Sequence, residues 1–94
     1  MLDVMYDTFA ENTEKLEKYL KDYDASVREI KKIIDDIPVY WVSKESESYY
    51  NRFKKVKNDK KALKELAAEL SVRMRELSDA FKVVVDVRVK EGKK

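Results

Sequence analysis

The chain has 94 residues, of which 43% are charged, and it contains one Gly, one Pro, no Cys and no His. That length allows a single domain, 1–94, and the composition is that of long solvated helices rather than of a turn-rich sheet protein. Without Cys or His, disulfide frameworks, thiolate metal sites, histidine bases and Ser-His-Asp triads are excluded. The net charge of +2 is unevenly placed: residues 1–38 carry ten acidic and six basic side chains, and residues 39–94 carry nine and fifteen. Antiparallel folding of the halves would set opposite fields side by side.

The segment from Met1 to Asp7 has no basic n-region and no apolar h-region, so no Sec-type signal peptide is expected. No apolar run approaches the roughly 18–20 residues needed to span a bilayer. The first half carries a heptad: Leu2, Phe9, Leu16, Tyr23, Ile30 and Ile37 recur every seven residues. Met5, Asn12, Tyr19, Ser26 and Ile33 lie three further on, and Tyr6, Thr13, Leu20, Val27 and Ile34 widen the stripe. The spacing predicts one helix over about 3–36 with a broad a/d/e face. Asn12 and Ser26 interrupt that face, either to fix register or partner choice or as tolerated polar positions near solvent.

Pro38 pushes the residue before it out of the α region, so this helix should stop near Asp36. Ser43 suits an N-cap for a second helix, with Glu45 and Glu47 in its first turn, where the helix dipole favours anions. Between the two lies the single Trp, Trp41. A breaker at mid-chain predicts a hinge, with Trp41 either plugging the end of the hairpin or contacting a partner.

In the second half Tyr49, Val56, Leu63, Leu70, Leu77 and Val84 recur every seven residues. Phe53, Lys60, Ala67, Met74, Phe81 and Arg88 lie four further on. One helix is expected over about 44–88. Apolar support lapses at Lys57-Asn58-Asp59-Lys60, where Asp59 could recap a kink, but the heptad keeps phase across it. The β-branched run Val83-Val84-Val85 with Val87 and Val89 suits a strand or a fraying helix. No partner strand is visible, so the helix is preferred, with a mobile tail from Val89. The expected fold class is all-α: an antiparallel helix-turn-helix hairpin.

A two-helix hairpin buries only part of each stripe. Aromatics bury ~150–250 Å² each, so leaving several of Phe9, Tyr19, Tyr23, Tyr49, Phe53 and Phe81 in water would make a costly patch. Association solves this, and two hairpins make a four-helix bundle. The expected partner interface is Phe9, Leu16, Tyr19, Tyr23, Ile30, Tyr49, Phe53, Val56, Leu63, Leu70, Met74, Leu77 and Phe81. The partner is a second copy or another chain.

Length, a central Trp and amphipathic halves resemble the WXG, or early-secreted-antigenic-target-like, family of small bacterial type VII secretion proteins. That family places a Trp-x-Gly motif in the central turn; here Trp41-Val42-Ser43 stands at that place. Family aromatics eight and twelve positions after the Trp match Tyr49 and Phe53. The resemblance covers essentially the whole chain. It departs at Ser43, which replaces the glycine, and in the family's Tyr-x-x-x-Asp/Glu export spacing, which is missing. Phe81 and Asp86 are five apart. The resemblance implies a small type VII secretion substrate, or a co-secreted partner and targeting factor for a toxin. It implies export without a cleaved signal peptide from a cytoplasmic pool, and pairing with another hairpin or with a toxin's N-terminal helical domain. A secretion ATPase would read the composite surface.

Arg52, Lys54, Lys55, Lys57, Lys60, Lys61 and Lys64 form a basic run. On one straight helix these cations spread over several faces, which argues for a solvated surface over nucleic-acid or membrane binding. The other functional class, an intracellular coiled-coil adaptor or regulator, would use this run on nucleic acid. The pairs Asp22/Asp24, Asp35/Asp36 and Glu45/Glu47 lie off the apolar stripes, so no catalytic residue, cofactor or metal site is expected.

Overall fold

A computed structural model describes the backbone of residues 3–92 and the side chains of residues 5–82. Stripe positions Leu2, Val84 and Arg88, and the Asp86 carboxylate, lie outside the described side chains. The chain is all-α apart from one short bridge. In order it forms β1 (Asp3–Val4), α1 (Tyr6–Leu20), α2 (Tyr23–Asp35), α3 (Ile37–Tyr40), β2 (Trp41–Val42), α4 (Lys44–Val56) and α5 (Lys60–Gly92).

The first expected helix is broken. After Leu20 the amides of Lys21 and Asp22 tighten onto the carbonyls of Lys18 and Tyr19, each at 3.2 Å, and Asp22 leaves helical geometry at φ −134°, ψ 65°. The chain folds back, so α2 runs antiparallel to α1. Phe9 near the start of α1 accordingly meets Tyr40 beyond the end of α2, with ring centroids 6.1 Å apart. A straight helix would hold Phe9 and Ile30 roughly 30 Å apart. Folded, both are 0% exposed. A break sacrifices a few helical hydrogen bonds at ~0.5–1.5 kcal/mol net each. Each apolar side chain it covers contributes ~1.5–3 kcal/mol, so burial wins.

The second expected helix is also broken, at the place where apolar support lapses. The amide of Asp59 donates to the Val56 carbonyl at 2.8 Å. The Asp59 carboxylate then accepts from the amide of Ala62 at 3.1 Å, capping α5. The helix continues to Gly92 rather than ending near Arg88, which leaves no strand in the valine run.

With 33 residues and ~1.5 Å rise per residue, α5 spans the long axis of a body measuring 52 × 27 × 17 Å. Both α1 and α4 run antiparallel to it. Glu17 meets Arg75 and Phe9 meets Phe81 on one side; Glu45 meets Arg73 and Arg52 meets Glu69 on the other. The centre is filled by Leu16, Ile30, Ile34, Leu63, Leu70 and Met74, all at 0% exposure.

Candidate docking site at the Trp41 bend

The bend is built from residues 36–46. Pro38 stands in the first turn of α3, where its missing N–H removes no helical bond. Trp41 then turns extended (φ −148°, ψ 111°). With Val42 it forms a two-residue antiparallel bridge to Asp3–Val4, and the Met5 amide donates to the Tyr40 carbonyl at 3.0 Å.

Ser43 caps α4 as its sequence position predicts. Its hydroxyl accepts from the Ser46 amide at 3.0 Å, and the Ser46 hydroxyl accepts from the Ser43 amide at 2.9 Å. The reciprocal pair is a capping box with Ser in place of the usual Glu or Gln, and for that reason Ser46 escaped the sequence reading. Ser43 lies at φ −162°, ψ 171°, an extended geometry open to any residue, so Ser carries no backbone penalty here.

Trp41 is buried inside the bend. It is 0% exposed, with Phe9 edge-on at 5.3 Å and 88° and Tyr49 tilted at 6.2 Å. Its indole N–H has no acceptor among the described residues. Beside it Tyr40 is buried and donates its hydroxyl to the Ile33 carbonyl at 2.9 Å. Burial, with Asp36 adding to it, pushes that phenol well above its ordinary range.

Over Trp41 lies a cleft of about 160 Å³, lined by Ile37, Pro38, Val42, Ser43, Ser46, Glu47 and Tyr50. Around this end of the molecule Val39 is 68% exposed, Met5 55% and Val42 51%. None of the three belongs to the stripe-derived interface set: Val39 and Val42 lie between the two stripes, and Met5, a stripe position, stands at the N-cap of α1.

The stripe residues themselves are covered by their own chain. Phe9, Leu16, Tyr23, Ile30, Phe53, Leu63, Leu70 and Met74 are buried in the core, and Tyr19, Tyr49, Val56, Leu77 and Phe81 are partly buried against it. The fold-back supplies the cover for which the sequence reading invoked a second chain. Of the polar interruptions, Asn12 donates to the Thr8 carbonyl at 2.9 Å and Ser26 is half-buried.

Carboxylates singled out in the sequence serve as ion partners: Asp24 for Lys60, Asp36 for Lys32 and Glu45 for Arg73. Among the described residues, no group of acidic side chains is placed to hold a metal ion, and no helix is long and apolar enough to cross a membrane. No protein family, curated protein or solved structure matches this chain.

Proposed function

We propose that this chain is a non-enzymatic helical domain that binds a protein partner at the Trp41 bend. The observation that carries the reading is the apolar cleft over Trp41 together with Val39, Val42 and Met5 held in solvent around it. An interface has an apolar centre with a polar rim; Glu47 and Ser43 at the cleft edge supply polar groups of that kind. The partner presents an apolar side chain that fills the cleft.

The narrower form of this proposal is a small type VII secretion substrate, or the helical companion of a toxin. The Trp41-Val42-Ser43 turn, with its capped second helix, supports it. In that form the chain straightens at Lys21–Asp22 and at Lys57–Asp59, and the resulting antiparallel hairpin pairs with another into a four-helix bundle. The unbroken heptad phase favours this opening, since Leu16 and Tyr23, and Val56 and Leu63, stay seven apart across the two turns.

Size-exclusion chromatography with light scattering tests both forms, on the chain alone and co-expressed with the product of the neighbouring gene. A complex lost on Val39→Asp with Val42→Asp supports docking at the bend. A dimer of long, straightened hairpins that keeps its mass in that double variant supports the bundle form instead. A monomer under every condition, with no complex, overturns both.

A further inference from the structure

The two turns that break the expected helices meet at the end of the molecule opposite Trp41. The Tyr23 hydroxyl donates to the Lys60 carbonyl at 2.6 Å, and the Lys60 ammonium reaches the Asp24 carboxylate at 3.1 Å. This juxtaposition changes the reading of the basic run. On a straight helix its lysines point in several directions. Folded at Lys57–Asp59, Lys57 and the lysines starting α5 collect at one end, with Lys60, Lys61 and Lys64 around Tyr23 and Asp24, beside Lys18 and Lys21 from the end of α1. Lys54 instead lies over the Tyr50 ring at 5.2 Å.

Residues 18–24 and 57–65 hold six lysines against four carboxylates (Asp22, Asp24, Asp59 and Glu65), a net of +2 that equals the charge of the whole chain. All six lysines are exposed. Helix stability does not account for the arrangement. The first turn of α5 contains no acidic residue and opens on Lys60 and Lys61. Cations there oppose the helix dipole.

We propose that this end binds the phosphate backbone of duplex nucleic acid, through Lys21, Lys57, Lys61 and Lys64. None of the four forms an ion pair among the described residues. Three observations select this partner. The exposed large apolar residues Met5, Val39, Val42 and Val72 lie outside both lysine-rich segments, so nothing at this end inserts into a bilayer or dries a protein interface. Tyr23, the aromatic side chain between the two turns, is 5% exposed. It offers no open face for stacking unpaired bases. Arg52, Arg73 and Arg75 pair with Glu69, Glu45 and Glu17, and neither lysine-rich segment contains an arginine for base readout. Lysine point charges on flexible stems then give sequence-independent contact. The proposal stands apart from docking at the bend.

Fluorescence anisotropy with a labelled mixed-sequence duplex tests it, on the full chain at 50 and 200 mM salt. With about four phosphates neutralised, the log–log slope should be about −3.6, so affinity falls roughly a hundredfold over that range. Lys57→Gln with Lys61→Gln and Lys64→Gln should bring the slope close to −1, with the far-UV circular dichroism spectrum unchanged. Lys31→Gln with Lys32→Gln and Lys82→Gln should leave binding as it was. No binding at 50 mM salt overturns the proposal, as does an unchanged slope in the first triple variant. Tighter binding to phosphatidylserine vesicles or to poly-glutamate than to the duplex overturns it as well.

Discussion

Truncating Trp41 distinguishes an indole packed in the core from one capping an open hairpin. The ring is 0% exposed and lies edge-on to Phe9 at 5.3 Å, with Tyr49 at 6.2 Å on another side. Trp41→Ala removes a large buried ring and leaves a cavity, which costs about 3–5 kcal/mol. At an m-value of roughly 1.5 kcal/mol/M, the urea midpoint falls by about 2–3 M. Trp41→Phe keeps an aromatic ring against Phe9 and removes the indole N–H that lacks an acceptor. An orphaned buried donor costs about 1–3 kcal/mol, so its removal offsets much of the lost area, and this variant should stay within ~1.5 kcal/mol of the parent. A double-mutant cycle between Phe9→Leu and Trp41→Leu should return a coupling of ~0.5–1.5 kcal/mol. Urea unfolding followed at 222 nm measures all of these. An alanine variant within 1 kcal/mol of the parent, where ~3–5 kcal/mol is expected, would refute the packing of the bend.

Ser43→Ala removes the N-cap of α4 and should cost ~1 kcal/mol, seen as a lower midpoint in thermal melts. Tyr40→Phe deletes the donor to the buried Ile33 carbonyl and should cost about 1 kcal/mol by urea titration. Hydrogen bonding to Arg75 and to Arg52 holds the Glu17 and Glu69 carboxyls below the ordinary glutamate range. Their contribution is therefore complete above the unfolded glutamate pKa, ~4.3, and is lost as pH falls through the lower folded values. Both pairs are more than one-third exposed, so each should supply at most about 1 kcal/mol. Glu17→Gln with Glu69→Gln should flatten the acid limb of a stability–pH curve. Asp59→Ala removes the cap on the Ala62 amide and should cost ~1 kcal/mol in the same melts.

Local chemistry was legible in the sequence and long-range closure was not. Ser43 announced the start of α4, and α2 ends at Asp35, close to the expected stop, but Ile37 before Pro38 is helical in α3 rather than pushed out of the α region. The lapse at Lys57–Asp59 was visible, and Asp59 does cap α5 there, yet heptad phase spoke for continuity. The fold-back at Lys21–Asp22 had only weak local signals, Lys18 ending α1 and Asp22 and Asp24 opening α2, since neither Gly nor Pro stands there and the periodicity runs straight through. It is decided by partners distant in sequence: Lys60 for the Tyr23 hydroxyl, Arg75 for Glu17, and Tyr40 and Trp41 for Phe9. A periodic stripe reports that a face is covered, not by which chain. For that reason the candidate site moved to Val39 and Val42, which no period selects, and to Met5, a stripe position left 55% exposed.

The two ends of the rod differ in how the polypeptide reaches them. Asp3–Val4 leads into α1 beside Trp41, and α5 passes Phe9 at Phe81 on its way out of the same end. The far end is made only of internal turns. A tether attached at either terminus would therefore crowd the tryptophan side and orient the lysine side outward. Immobilising the molecule through a terminal tag would screen the Trp41 side and leave the Lys57–Lys64 side open, whereas a label placed on Asn58 would do the reverse.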